Sequence, residues 1–238
     1  MSPIVRLDNV EHHDLRLIAG PAGGADDRVN LALVVPAEFA EVQREYPILF
    51  RQAEDGGFQA FALLGLETDE NLFLDETGWR ARYVPAIQAR GPFSIGLRDT
   101  GDDEPDSMVM VDTGHPRISR DDGEPLFLSH GGNAPVLERV LQALRTLHAG
   151  IAASDAMFAA FHAAGLLAPV NIEIQLDDGA RHALPGFFSV SQEACARLDA
   201  ATLADLNRSG FLALAFYVIH STANMRRLID MKTRRHAS

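Results

Sequence analysis

The spacing of the apolar residues changes near residue 134, and this change constrains the fold more than any other feature of the sequence. Before it, apolar residues form short runs bounded by glycine, proline or aspartate, such as Leu31 to Val35 before Pro36, which is typical of β-strands. After it, apolar residues recur every three or four positions up to Ile151, which predicts an amphipathic helix. The predicted fold class is therefore α+β, with a strand-rich N-terminal half built mainly on antiparallel sheet and a helix-rich C-terminal half.

Two β-hairpins are predicted in the first half. The Glu-Asp-Gly-Gly segment at 54–57 lies between the apolar runs 46–50 and 58–66, and glycine accepts the positive φ angles of a tight turn. A second hairpin is predicted to pair 93–97 with 108–111 across an acidic segment. The acidic side chains of that segment lack the spacing of an EF-hand loop, so a calcium hand is excluded.

The second half carries helix caps and one strictly alternating segment. Ser154 and Asp155 are predicted to cap a separate helix over 156–164, because their side chains accept hydrogen bonds from exposed helix N–H groups. The alternation of apolar and polar residues over 170–176 predicts a half-buried strand, which an Asp-Asp-Gly turn connects to a partner strand over 182–190.

Two further helices complete the prediction, over 195–206 and 212–229. A length of 238 residues fits one large domain or two small ones. We expect a single domain over 1–238, with a subdivision into a strand-rich part at 1–130 and a helix-rich part at 131–238 as the alternative.

Composition excludes several classes of function. The chain has 21 Lys and Arg against 33 Asp and Glu, a net charge of −12, which disfavours binding to nucleic acid. Cys195 is the only cysteine and the nine histidines form no compact ligand motif, so we predict no disulfide, no bound metal and no cofactor. The longest apolar run, 211–219, is far shorter than the roughly 20 residues of a membrane span. With no secretory signal at the N-terminus, the sequence predicts a soluble cytoplasmic protein.

Motifs for phosphate binding and nucleophilic catalysis do not occur. The glycine-rich stretch at 20–24 is not followed by the Lys-Ser/Thr pair of a P-loop, and the chain has no G-x-S-x-G elbow. Cys195 lies in a helical pattern with no nearby feature that would lower its pKa, so we interpret it as a packing residue.

Aromatic and arginine side chains concentrate between residues 79 and 93, and this segment is the best candidate for a small-molecule site. Pockets for small molecules are mostly apolar with a few polar anchors. The predicted ligand-binding residues are His12, Arg16, Glu38, Asn71, Trp79, Tyr83 and Arg90. The alternative is that the aromatic residues belong to the core and that Arg90 pairs with a carboxylate.

A series of short motifs, taken in order, resembles the SapC family of bacterial proteins. The series covers about 12–228 of the chain. Its main members are Glu38-Phe39, Tyr46 to Phe50, Ala62 to Gly65, Glu70 to Leu74, Gly78 to Pro85, Arg90 to Phe93, Gly123 to Phe127, and the segment from Ser209 to Leu228.

The resemblance implies a bacterial protein of about this size, from a family that takes its name from a surface-layer locus. Members are often labelled surface-layer or peptide-transport components, and related genes lie near outer-membrane receptors and flavin-dependent halogenases. The sequence favours a non-catalytic accessory protein that binds a small molecule or a protein partner, and it leaves a homo-oligomer open. The alternatives are an enzyme that acts with a neighbouring oxygenase or halogenase, and a surface-layer component.

Overall fold

Thirteen short strands form four antiparallel sheets in the part of the chain that the structure describes. The computed structural model describes residues 4–20, 28–98, 106–176, 179 and 181–236. The strands are β1 (Ile4–Arg6), β2 (Arg16–Leu17), β3 (Leu31–Val34), β4 (Ile48–Gln52), β5 (Phe58–Leu63), β6 (Leu74–Asp75), β7 (Gly78–Trp79), β8 (Phe93–Arg98), β9 (Asp106–Asp112), β10 (Ile118–Ser119), β11 (Glu124–Pro125), β12 (Leu167–Gln175) and β13 (Arg181–Val190).

Helices lie mainly in the second half of the chain. A single 3₁₀ turn at Pro36–Glu38 precedes the first of them. The α-helices are α1 (Phe39–Val42), α2 (Ala86–Ala89), α3 (Pro135–Ala163), α4 (Gln192–Ala196), α5 (Ala200–Arg208), α6 (Phe211–Ser221) and α7 (Asn224–His236). The chain is therefore α+β with several antiparallel sheets, as predicted from the change in hydrophobic period.

The largest sheet has five strands in the order β12-β13-β4-β5-β3. Its β4–β5 and β12–β13 hairpins confirm two predicted strand pairs. The two hairpins meet where Phe188 of β13 lies opposite Phe50 of β4. The predicted division into a strand-rich and a helix-rich half is not confirmed, because the two longest strands of this sheet, β12 and β13, belong to the second half.

Three smaller sheets contain the remaining strands of the described residues. The hairpin of β8 and β9 pairs with β1, which confirms the second predicted hairpin. Its acidic tip at 99–105 lies outside the described residues. The remaining sheets are β10-β2-β11 and the minimal hairpin β6-β7.

The predicted break in the long helix is wrong. Helix α3 continues through Ser154 and Asp155 for 29 residues, a length of about 44 Å. The Ser154 hydroxyl donates back to the carbonyl of Gly150 at 2.8 Å, so it serves the interior of the helix and caps no new one. The chain turns only at Gly165, where φ is +65°.

The predicted helix over 195–206 is also corrected. Ser191 caps α4 by accepting from the N–H of Ala194 at 3.1 Å. A second helix, α5, starts after Asp199, whose carboxylate accepts from the N–H of Thr202 at 2.9 Å. The predicted helix over 212–229 is likewise two helices, α6 and α7, which separate at residues 222–223.

Helix α3 joins two hydrophobic clusters. Its first turns, including Val136 and Val140, pack with β2, β8 and β9 in the smaller cluster. Its last turns, including Phe158 and Phe161, pack on the five-stranded sheet together with α5, α6 and α7. The two clusters are thereby held at opposite ends of one rigid element.

Candidate functional site

A buried tyrosine links the loop before β4 to the segment around β7. Tyr46 is fully buried, and its hydroxyl donates to the carbonyl of Tyr83 at 2.5 Å. The same oxygen accepts from the indole Nε1–H of Trp79 at 2.7 Å. Since Trp79 and Tyr83 both lie in the predicted aromatic segment, Tyr46 fixes the path of that segment against the core.

Glu38 supports the other end of the same segment. Its carboxylate is 2% exposed and accepts from the N–H of Val35 at 3.0 Å, from the N–H of Ala86 at 2.7 Å and from the hydroxyl of Tyr83 at 2.8 Å. One carboxylate therefore ties the 3₁₀ turn to the start of α2.

Both tyrosines are neutral phenols in the fold. Burial raises the pKa of Tyr46 above its ordinary value. Burial also raises the pKa of Tyr83, and the negative charge of Glu38 raises it further. At neutral pH these groups serve as hydrogen-bonding groups and do not act as bases.

The β6–β7 hairpin presents Trp79 to a cavity. Gly78 has a φ of +116°, a conformation that favours glycine. The loop is closed by Asp75, whose carboxylate accepts from the N–H of Thr77 at 2.9 Å. These local contacts explain why the two-residue strands form and why the indole lies on the cavity wall.

The cavity beside Trp79, called here the tryptophan cavity, has a volume of about 490 Å³. It lies between the hairpin, α2, α3 and the β10-β2-β11 sheet. Its apolar wall consists of Leu17, Ala19, Leu74, Trp79, Val84, Ala89, Val136 and Val140, with Gly20 and Gly78. Its polar groups are Thr77, Gln88, Arg117, Glu124 and Arg139. Such a lining, mostly apolar with a few polar groups, is typical of small-molecule sites.

The charged groups on the wall are two guanidinium groups and one carboxylate. Arg139 of α3 pairs with Glu124 of β11 at 3.2 Å, and both side chains are more than half exposed. Arg117 donates from Nε to the carbonyl of Ile18 at 3.0 Å. The guanidinium groups on the polar side of the wall carry N–H donors of the kind that suit an anionic group of a ligand.

The structure brings only part of the predicted site together. Trp79 lies on the wall of the tryptophan cavity, with Tyr83 and Glu38 in the hydrogen-bond network behind it. Asn71 lines a different cavity, which also borders the β6–β7 hairpin. Arg90 lines a third cavity of about 300 Å³, and its guanidinium donates to the carbonyl of Phe93 at 2.6 Å.

The other two predicted residues lie elsewhere. His12 is buried in the turn before β2, where its Nδ1 accepts from the N–H of Asp8 at 3.0 Å. Arg16 of β2 donates to the carbonyl of Gly123 at 3.1 Å. The contact of His12 is therefore local to the turn before β2, whereas Arg16 joins β2 to the residue before β11.

The sequence did not point to Gln88, Arg117 and Arg139 as cavity residues. Arg139 lies on the polar side of an amphipathic helix, where charges are ordinarily solvated. Arg117 was one of two arginines in an acidic stretch, and this was the only local signal available. Their approach to Trp79 depends on how distant elements pack.

The structure bears on two kinds of chemistry, metal binding and the reactivity of the Cys195 thiol. Among the described residues, no group of three or more His, Cys, Asp or Glu side chains is arranged to hold a metal ion. The prediction that the protein contains no metal remains a prediction. Burial raises the pKa of the Cys195 thiol, which disfavours the reactive thiolate form.

Comparison with known proteins identifies the family of this α+β chain. A family model described as SapC matches residues 7–228, nearly the whole chain. The chain therefore belongs to the SapC family. No curated protein and no solved structure was found to match it. Within the described residues, no helix is long and apolar enough to cross a membrane.

Proposed function

We propose that this member of the SapC family is a non-catalytic binding protein whose tryptophan cavity takes a small molecule with an apolar body and an anionic group. The observation that carries the proposal is the lining of that cavity, an apolar wall around Trp79 with Arg117 and Arg139 at its polar side. The apolar wall would bury the body of the ligand, and a guanidinium would pair with its anion.

The fixed position of Trp79 also supports binding. Its Nε1–H is already paired with Tyr46, so the indole has no free donor and presents apolar surface to the cavity. A wall that is ordered before the ligand arrives loses little side-chain entropy on binding. Specificity would then come from the guanidinium groups and from the amide of Gln88.

The chain offers a direct test, because Trp79 is its only tryptophan. The probe is 8-anilinonaphthalene-1-sulfonate, which combines an aromatic body with an anionic group. We expect saturable quenching of Trp79 emission with energy transfer to the bound probe. Native mass spectrometry of protein purified from its own host would then identify the physiological ligand.

Two variants make the test specific. Arg139→Gln removes one guanidinium and should weaken probe binding by about three- to tenfold, whereas Ala89→Phe should reduce binding by filling the cavity. Arg44→Gln is the matched control, because Arg44 has the same exposure of 64% and also forms a surface ion pair, with Glu41. Equal affinity in Arg139→Gln and Arg44→Gln, or binding without quenching of Trp79, would contradict the proposal.

A further inference from the structure

We propose a second site, in another cavity that borders the β6–β7 hairpin, for a small zwitterion of the amino-acid class. This cavity, called here the acidic cavity, has a volume of about 770 Å³. Its wall includes Arg28, Asp69, Asn71, Glu76 and Arg235. Leu74 and Thr77 line both cavities, but Trp79 lines only the tryptophan cavity. The two proposals can therefore succeed or fail separately.

Asn71 supplies the first observation. Its side chain is 6% exposed, and its Oδ1 accepts from the N–H of Phe73 at 3.0 Å. Its Nδ2 is buried and has no hydrogen-bond partner among the described residues. Buried amide N–H groups in folded proteins are nearly always paired, so this donor points to a ligand that brings an acceptor.

Arg235 brings a second donor to the same residue. Its Nη1 donates to the main-chain carbonyl of Asn71 at 3.0 Å, and its side chain is exposed on the cavity wall. A guanidinium beside an unpaired amide N–H forms a pole that suits a carboxylate, because a carboxylate accepts from both.

The carboxylates on the wall supply the opposite pole. Five carboxylates line this cavity. Glu67 and Glu70 bind Lys232 at 3.1 and 2.7 Å, and Asp75 pairs with Arg80. The other two, Asp69 and Glu76, are exposed and make no ion pair with any described residue. These two carboxylates are the acidic groups on the wall that remain for an ammonium group.

The combination of poles favours an amino acid over a simple cation. A polyamine would satisfy Asp69 and Glu76 but has no oxygen for the Nδ2 of Asn71. A metal ion fits less well, since the described residues hold no group arranged to ligate one. A molecule with a carboxylate next to an ammonium satisfies both poles.

The experiment titrates the full-length protein with each of the twenty common L-amino acids by calorimetry or by NMR. The best binder is then compared with its N-acetyl and amide derivatives. Each derivative removes one charge of the zwitterion, and we expect each to bind about tenfold more weakly. Binding by no amino acid, or equal binding of the N-acetyl derivative, would overturn the proposal.

Three variants locate the site. Asn71→Asp keeps an oxygen acceptor for Phe73 and replaces only the unpaired donor, and it should weaken binding by about tenfold. Arg235→Gln should act in the same direction at an exposed position, so that a failure of Asn71→Asp to fold leaves the test intact. Asp69→Asn removes one ammonium partner at φ +63°, a conformation that asparagine also accepts.

The control is Asp205→Asn, which breaks an exposed ion pair with Arg208 on α5 and should leave affinity unchanged. Unaltered binding in Asn71→Asp or Arg235→Gln, with a native circular dichroism spectrum, would place the amino acid outside this cavity. Probe binding at Trp79 is measured on the same variants, and it should remain unchanged.

Discussion

At the scale of single residues, Glu38 acts inside the fold. The sequence analysis predicted it as a polar anchor of a small-molecule site, because such sites are mostly apolar with a few polar groups. In the structure its two oxygens receive three hydrogen bonds, from Val35, Tyr83 and Ala86. The buried carboxylate of Glu38 is thus occupied by hydrogen bonds within the protein, and it holds the segment behind Trp79 in place.

Glu38→Gln should therefore destabilise the protein. An amide has one acceptor oxygen, so at least one of the three donors loses its partner, at a cost of about 1–3 kcal/mol. For a chain of this size, each kcal/mol lowers the thermal midpoint by about 2–4 °C. Calorimetric or circular dichroism melting measures the shift.

Glu41→Gln is the matched control for this prediction. Glu41 forms an exposed pair with Arg44, and surface pairs of this kind contribute little. If the thermal midpoints of Glu38→Gln and Glu41→Gln fall by the same small amount, Glu38 does not stabilise the fold as inferred.

At the scale of elements, the packing of α3 depends on one glycine. A Cβ at Gly150 would lie 2.3–2.6 Å from side-chain atoms of Val35, and Val35 itself is buried. Only glycine at position 150 therefore allows α3 to approach the segment before the 3₁₀ turn this closely.

Gly150→Ala should destabilise the protein, although alanine favours a helix over glycine by roughly 1 kcal/mol. Overpacking of this kind typically costs about 1–3 kcal/mol, so we expect the free energy of unfolding to fall. Chemical denaturation measures this change. The exposed substitution Ala152→Gly, on the same helix, measures the propensity difference without a clash.

A double variant isolates the contact. Val35→Ala together with Gly150→Ala should be more stable than the two separate effects predict, because the smaller side chain makes room for the new methyl group. Strict additivity would show that Gly150 and Val35 do not contact each other as described.

Local patterns predicted the elements that depend on neighbouring residues. The two hairpins, the β12–β13 pair and the start of α3 follow from alternation, helical spacing and turn residues. The prediction failed at Ser154, because a serine hydroxyl can cap a new helix or bond back within an existing one. Only the surrounding packing decides between these two states.

The candidate site was also predictable only where its residues are marked by their sequence neighbours. Trp79 could be selected from the sequence because aromatic residues next to arginines are typical of ligand pockets. Arg139 could not, since it lies 60 residues further along the chain and reaches the cavity through the packing of α3. Pairing between distant elements leaves no trace in one short stretch of sequence.

At the scale of the whole molecule, a buried lysine connects the C-terminal helix to the body of the protein. Lys232 of α7 is 2% exposed and bonds Glu70 at 2.7 Å and Glu67 at 3.1 Å. Burial by itself lowers the pKa of Lys232, but the hydrogen bonds and charges of the two glutamates outweigh burial and raise it. The stability from this shift is present below about pH 10 and is lost as the pH rises through the folded-state pKa.

Lys232→Met should destabilise the protein by about 3 kcal/mol, the lower end of the range for breaking a buried ion pair, because Glu67 is half exposed. Urea unfolding measures the loss. Arg226→Met removes an exposed cation from the same helix and should change the free energy of unfolding by less than about 0.5 kcal/mol. Similar values for the two variants would mean that Lys232 does not hold α7.

The pairing of β13 with β4 also governs when the protein can fold during its synthesis. Phe188 must return to Phe50, so the central sheet is incomplete until most of the chain has left the ribosome. Without β13, β4 has no partner on the edge away from β5, and closing so long a loop is slow. The nascent chain therefore passes through a stage in which this edge is open to aggregation or to a chaperone.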